Sequence, residues 1–185
     1  MKPALAVFAV AAVAQWLLPL AGVWRHEWLI ARGTLVRIEC AAPDPYDMLR
    51  GRYLAVRPAE TSAAAPEGMS WGVVPVWATL ATGGDGLARI ESLSLEPVVG
   101  PTVVRLMAQR IRATDDTAAV QLEWPFDRFY LNERLGPAAD TLMAALFRDG
   151  TRPVAEVRLL DGHAVLTDLL LDGVPVRESV RKWSR

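Results

Sequence analysis

"VAEVRLLDGHAVLTDLLLDGVPV", residues 154–176, carries two Asp-Gly steps, Asp161–Gly162 and Asp172–Gly173, each set between short alternating runs. A type I′ hairpin turn needs positive φ at both central residues, and Asp-Gly meets that need at little steric cost. The stretch therefore reads as a three-stranded antiparallel meander. "LLDGHAV" and "LLDGVPV" are alike because two hairpins are built alike; they are too short to be the units of a repeat architecture.

The same period of two recurs upstream. In "GTLVRIECAA" (33–42), Val36, Ile38 and Cys40 fall on one face and Leu35, Arg37 and Glu39 on the other, as in a half-buried strand. Cys40 reads there as a small buried hydrophobe. "WGVVPVWATLAT" (71–82) is a strand in which Pro75 implies an edge or a bulge. "GGDG" (83–86) turns it into "LARIESLSLEP" (87–97). A second pair, "TVVRLMAQRI" (102–111) and "AAVQLEWP" (118–125), is joined by the turn-prone "RATDDT". "ETSAAAPEGMS" (60–70) has loop composition. "GPAADTLMAALFRDG" (136–150) differs: Ala138, Leu142, Ala145 and Leu146 recur at helical spacing, with Pro137 suited to a first turn and Gly150 to a stop. "RESVRKWSR" at the end reads as a solvated basic tail. The expectation is a mainly β, α+β domain with one inserted helix, antiparallel and barrel- or sandwich-like.

That domain follows an apolar segment. Residues 3–24 run for 22 residues without a charge, a length that as a helix spans roughly 33 Å against a hydrocarbon core of about 30 Å. Trp24 and Trp28 beside Arg25 and His26 suit a membrane interface. A cleaved signal peptide is the alternative, but the run exceeds a usual signal core of about 7–15 residues and no Ala-x-Ala site follows. The reading is a single-pass anchor and juxtamembrane segment over 1–32, a globular domain over 33–180 and a tail over 181–185, with the domain outside the cytoplasmic membrane.

Composition removes several classes of function. Net charge is −1 with pI about 6.1, so no basic field exists for nucleic acid. A single cysteine and two histidines support neither a disulfide framework nor a metal centre. No Gly-x-Ser-x-Gly elbow and no phosphate-binding loop is present. No cofactor is implied.

Two stretches remain as candidate sites. In "PDPYDMLRGRYLAVRP" (43–58), Pro45 extends Asp44, Asp44 or Asp47 can close an Asx turn, and Gly51 permits positive φ or close approach. Arg50 or Arg52 can pair with Asp47. Tyr53 then opens a strand with Tyr53 and Ala55 on one face and Leu54 and Val56 on the other. The stretch reads as a stiff corner that can also dock a partner. The second candidate is Asp127, Tyr130 and Glu133 around Trp124, Phe126 and Phe129; two carboxylates beside aromatics can divide acid and base roles on a glycan.

These stretches resemble the GDYXXLXY family of bacterial membrane-anchored proteins. Asp44-Pro45-Tyr46-Asp47 is similar to the segment that precedes the family motif. Gly51, Tyr53 and the aliphatic Val56 follow the motif itself, while Arg52 replaces its acid and Pro58 its last tyrosine. "FDRFYLNE" (126–133) is similar to the family's aromatic segment before a helix. The resemblance implies membrane attachment and a shared fold, and no catalytic residues. The functional expectation is a membrane-anchored accessory protein that touches lipid and binds a polytopic membrane protein or another envelope component. The rivals are an envelope hydrolase and a domain that holds a small ligand between sheet and helix.

Overall fold

A computed structural model describes residues 3–41, 53–112, 118–132 and 135–183. Helix α1 (Pro3–Arg32) ends where Gly33 donates its N–H to the Leu29 carbonyl at 2.8 Å. A Cβ on Gly33 would lie 2.6 Å from that same oxygen, so only glycine lets the chain turn this tightly into β1 (Thr34–Ala41). Val36, Ile38 and Cys40 are buried along β1, the face that alternation assigns to the core. Burial pushes the Cys40 thiol up to about 12.

The meander forms as its turns dictate. Strands β10 (Val154–Leu160), β11 (His163–Leu171) and β12 (Val174–Pro175) are antiparallel. Asp161 and Gly162 have φ of 51° and 77°, Asp172 and Gly173 50° and 76°, the positive pair each type I′ turn requires. With β1 and β3 (Arg57–Pro58) they make a five-stranded sheet in the order β12-β11-β10-β1-β3.

The second sheet runs β4-β8-β7-β5-β6, from β4 (Ser62–Ala64), β5 (Val73–Thr82), β6 (Ala88–Ser94), β7 (Val103–Arg112) and β8 (Ala118–Glu123). Both strand pairs expected from the sequence, β5 with β6 and β7 with β8, are present. Pro75 lies at an edge of a local kind: β6 pairs with β5 only from Trp77 onward, so at Pro75 the strand has β7 alone beside it. Two links draw the sheets into a nearly closed barrel. The Arg105 N–H donates to the Gly162 carbonyl at 2.8 Å, and the Ile90 N–H donates to the Glu60 carboxylate at 2.7 Å. Val36, Val157 and Leu159 from one sheet and Val76, Leu106 and Val120 from the other share one core.

Among the described residues there are three helices, where the sequence suggested one insertion after the anchor. Helix α2 (Gly136–Arg148) is the expected one, with Ala139, Leu142 and Met143 buried. Helix α3 (Val176–Trp183) corrects the solvated tail: Val176 and Val180, one turn apart, are fully buried, while Glu178 and Lys182 pair outside at 2.9 Å. Only two valines mark its buried face, so the surrounding charges conceal it in the sequence. Arg181, Lys182 and Trp183, assigned to the tail, form its last turn.

Helix α1 is 30 residues long. Among the described residues, no helix is long and apolar enough to cross a membrane; the side chains of residues 3–6 and 9–10 of the uncharged run lie outside that set. Most large apolar side chains described in α1, among them Phe8, Trp16, Leu17, Leu18, Leu20 and Val23, are exposed, whereas Leu29 is buried against the barrel.

Candidate functional site

Strand β2 (Tyr53–Ala55) buries Leu54, so Tyr53 and Ala55 turn outward and stay half-buried. Strand β9 (Arg128–Tyr130) buries Phe129, so Arg128 and Tyr130 turn outward. The two strands pair antiparallel, Tyr53 opposite Tyr130 and Ala55 opposite Arg128. Both sequence candidates thus contribute to one surface. The tyrosine rings meet edge to face with centroids 6.1 Å apart, and the Arg128 guanidinium lies 4.8 Å over the Tyr53 ring. Asp127 Oδ2 is 3.2 Å from Arg128 Nε. That carboxylate first, then the Tyr130 hydroxyl and Tyr53, hold the Arg128 guanidinium more firmly protonated than usual. Tyr130 is 64% exposed, which leaves most of its ring free for a partner. Behind the ribbon, Arg177 of α3 lies 5.2 Å over the Phe129 ring.

A groove of about 600 Å³ adjoins this surface. It opens between residues 57–60 and 123–126, whose flanking backbones are hydrogen-bonded at both ends. The Val56 N–H donates to the Asp127 carbonyl and the Leu122 N–H to the Thr61 carbonyl, both at 2.8 Å. Trp124, buried, donates its indole N–H to the Glu60 carbonyl at 2.9 Å and packs on Phe126 with ring centroids 5.8 Å apart. Arg57, Glu123 and Asp127 line it as well. Aromatic walls, mixed charge and exposed carboxylates suit binding. Glu123 and Asp127 are both solvent-exposed.

Among the sequence candidates, Tyr53, Asp127 and Tyr130 come together. Asp44, Asp47, Arg50, Gly51, Arg52 and Glu133 lie outside the described residues. His163 hydrogen-bonds Arg25 of α1 and lines a second cavity of about 420 Å³ together with Arg105 and Glu123. Among the described residues, no group of three or more His, Cys, Asp or Glu side chains is arranged to hold a metal. Sequence reasoning missed Arg128. Its signal was local: in a strand, Arg128 and Tyr130 share a face. That Tyr53 joins them depends on a pairing between distant segments.

A protein-family model described as GDYXXLXY protein matches residues 15–169. No curated protein and no solved structure matches the chain.

Proposed function

The chain belongs to the GDYXXLXY protein family, and on that premise we propose that it is a membrane-attached, non-enzymatic accessory protein whose barrel binds a partner through the Tyr53–Arg128–Tyr130 face. The observation that carries the attachment is the exposure of apolar side chains along α1 from Val7 to Trp28, on a helix that seats Leu29 against the barrel. Water is a poor solvent for such a surface, and a lipid core suits it. The 22-residue uncharged run that begins at Pro3 supports a single span, and Trp24 and Trp28 support interfacial anchoring at its end. The barrel then lies outside the cytoplasmic membrane.

The partner reading rests on chemistry. Tyrosine and arginine are the side chains most often found at the energetic centre of protein interfaces. Here they are held by strand pairing and by an aromatic contact, so little ordering remains to be done on binding. A polytopic membrane protein, or another envelope component close to the bilayer, is the partner class that a tethered barrel can reach. The groove favours a second reading, a small-ligand site walled by Trp124 and Phe126.

Carbonate washing of membranes from cells that express the full chain tests attachment. The protein should remain in the pellet; release into the supernatant would refute the span. Parallel purification in mild detergent should recover a membrane protein with the parent and much less with Arg128→Ala. Equal recovery by both would reject the face.

A further inference from the structure

We infer that the foot of α1 and the loop 97–101 form a lipid-headgroup contact that fixes the barrel's attitude against the bilayer. The inference rests on the membrane attachment proposed above. Its first support is an apolar cavity of about 530 Å³ beside the end of α1, lined by Arg32, Trp77, Val98, Val99, Leu159 and Leu160 among others. Val99 is 98% exposed, the most open of the large apolar side chains among the described residues. Pro97 and Pro101 bracket it, and their fixed φ keeps this apolar tip stiff. Trp77 forms a firm wall, because its ring rests on Gly162 so closely that a Cβ there would lie 2.3 Å from it.

The second support is the chemistry of the adjoining helix. The rings of Trp24 and Trp28 lie 5.5 Å apart, and the Arg32 guanidinium lies 4.5 Å over Trp28. Indole rings with arginines beside them are the residue types that settle at the headgroup level, where arginine also meets lipid phosphate. The third is rigidity. Leu29 is buried, Arg158 donates to the Gly33 carbonyl at 2.9 Å, and Arg25 hydrogen-bonds His163 of β11. The barrel is therefore locked to α1 and does not swing from it, so an exposed apolar tip at the helix foot has a fixed place relative to the helix axis. Eight residues, about 12 Å of helical rise, separate Trp24 from Arg32. With Trp24 at the edge of the hydrocarbon core, that puts the tip clear of the core, on the outer side of a headgroup layer about 5–7 Å deep. A lean of about 20°, usual for spanning helices, towards the loop seats Val99 among the headgroups.

The test uses the full chain reconstituted in phosphatidylcholine vesicles containing a quarter phosphatidylglycerol. A fluorophore is attached to Val99→Cys, Leu18→Cys or Gly84→Cys in turn; Cys40 is buried and does not compete. Gly84 is a suitable control because a side chain there meets nothing within 4 Å. It also lies at the other end of β6, a strand of roughly 20 Å. Headgroup-spin-labelled phosphatidylcholine should quench the Val99 site severalfold more than the Gly84 site. Acyl-chain-labelled lipid should quench Leu18. Quenching of Leu18 with Val99 no different from Gly84 would overturn the contact and leave the attachment standing. A Leu18 site that no lipid label quenches would overturn both.

Discussion

The C-terminal meander and the β2–β9 ribbon are both antiparallel pairings, and they are specified in opposite ways. In the meander, strands are separated by two residues, and Asp-Gly fixes turn type and register together. In the ribbon, three residues pair with three from a distant part of the chain, and no turn connects them. Its register comes from burial: Leu54 and Phe129 must both face inward, and a slip by one residue would expose them. Local chemistry builds the meander. The part that shows tyrosine and arginine to solvent depends on core packing from elsewhere.

The sharpest test of that contrast is Phe129→Ala. If burial alone sets the ribbon, its loss should cost about 3–5 kcal/mol and also abolish binding at the outward face. Denaturant midpoints read the first effect. Alkylation of Cys40 gives a second readout: its thiol is buried and pushed up to about 12 in the fold, so labelling at mild alkaline pH should accelerate as unfolding grows more frequent. A midpoint close to the parent's would mean that the ribbon is held by something other than this core contact.

Within the meander, Gly162→Ala and Gly173→Ala separate turn chemistry from packing. Both glycines have positive φ, but a Cβ at Gly162 strikes the Trp77 ring and one at Gly173 meets nothing. Gly162→Ala should cost roughly 2–4 kcal/mol, from backbone strain and overpacking together. Gly173→Ala should cost only about 1–2 kcal/mol, the strain of a left-handed alanine. Equal losses in thermal or chemical melts would show that Trp77 does not rest on the first turn.

Tyr53→Ala should cost less than Phe129→Ala, about 1–2 kcal/mol, since it removes a half-buried ring and one aromatic pair. Arg128→Ala should cost little stability, because its ion pair with Asp127 is exposed. Its effect should appear in partner recovery, with melting almost unchanged. A large drop in stability would instead make Arg128 a structural residue and remove the reason to assign it to binding.

How much was legible follows the same division. The strand pairs joined by short turns could be read because their signals, Asp161–Gly162, Asp172–Gly173 and the glycines of 83–86, are contiguous in sequence. The buried face of β1 was readable for the same reason: Val36, Ile38 and Cys40 alternate. Helix α3 was missed because Val176 and Val180 carry its whole apolar face amid charged neighbours. Of the site, Tyr53 and Tyr130 were singled out separately, each on local grounds. Their meeting required the closure of a long loop, and the benefit of closing it lies in the shared core, which no local pattern contains. That Arg128 shares a strand face with Tyr130 was readable locally, but its contact with the Tyr53 ring was not.

The most direct test of the account is a photocrosslinker in place of Tyr130 in the full chain, in living cells, compared with the same probe in place of Gly84 on the β5–β6 hairpin. The account predicts a discrete adduct of higher mass from position 130 that sediments with membranes and is lost when Arg128→Ala is added, with no such adduct from position 84. No adduct from position 130, or the same adducts from both positions, would contradict it.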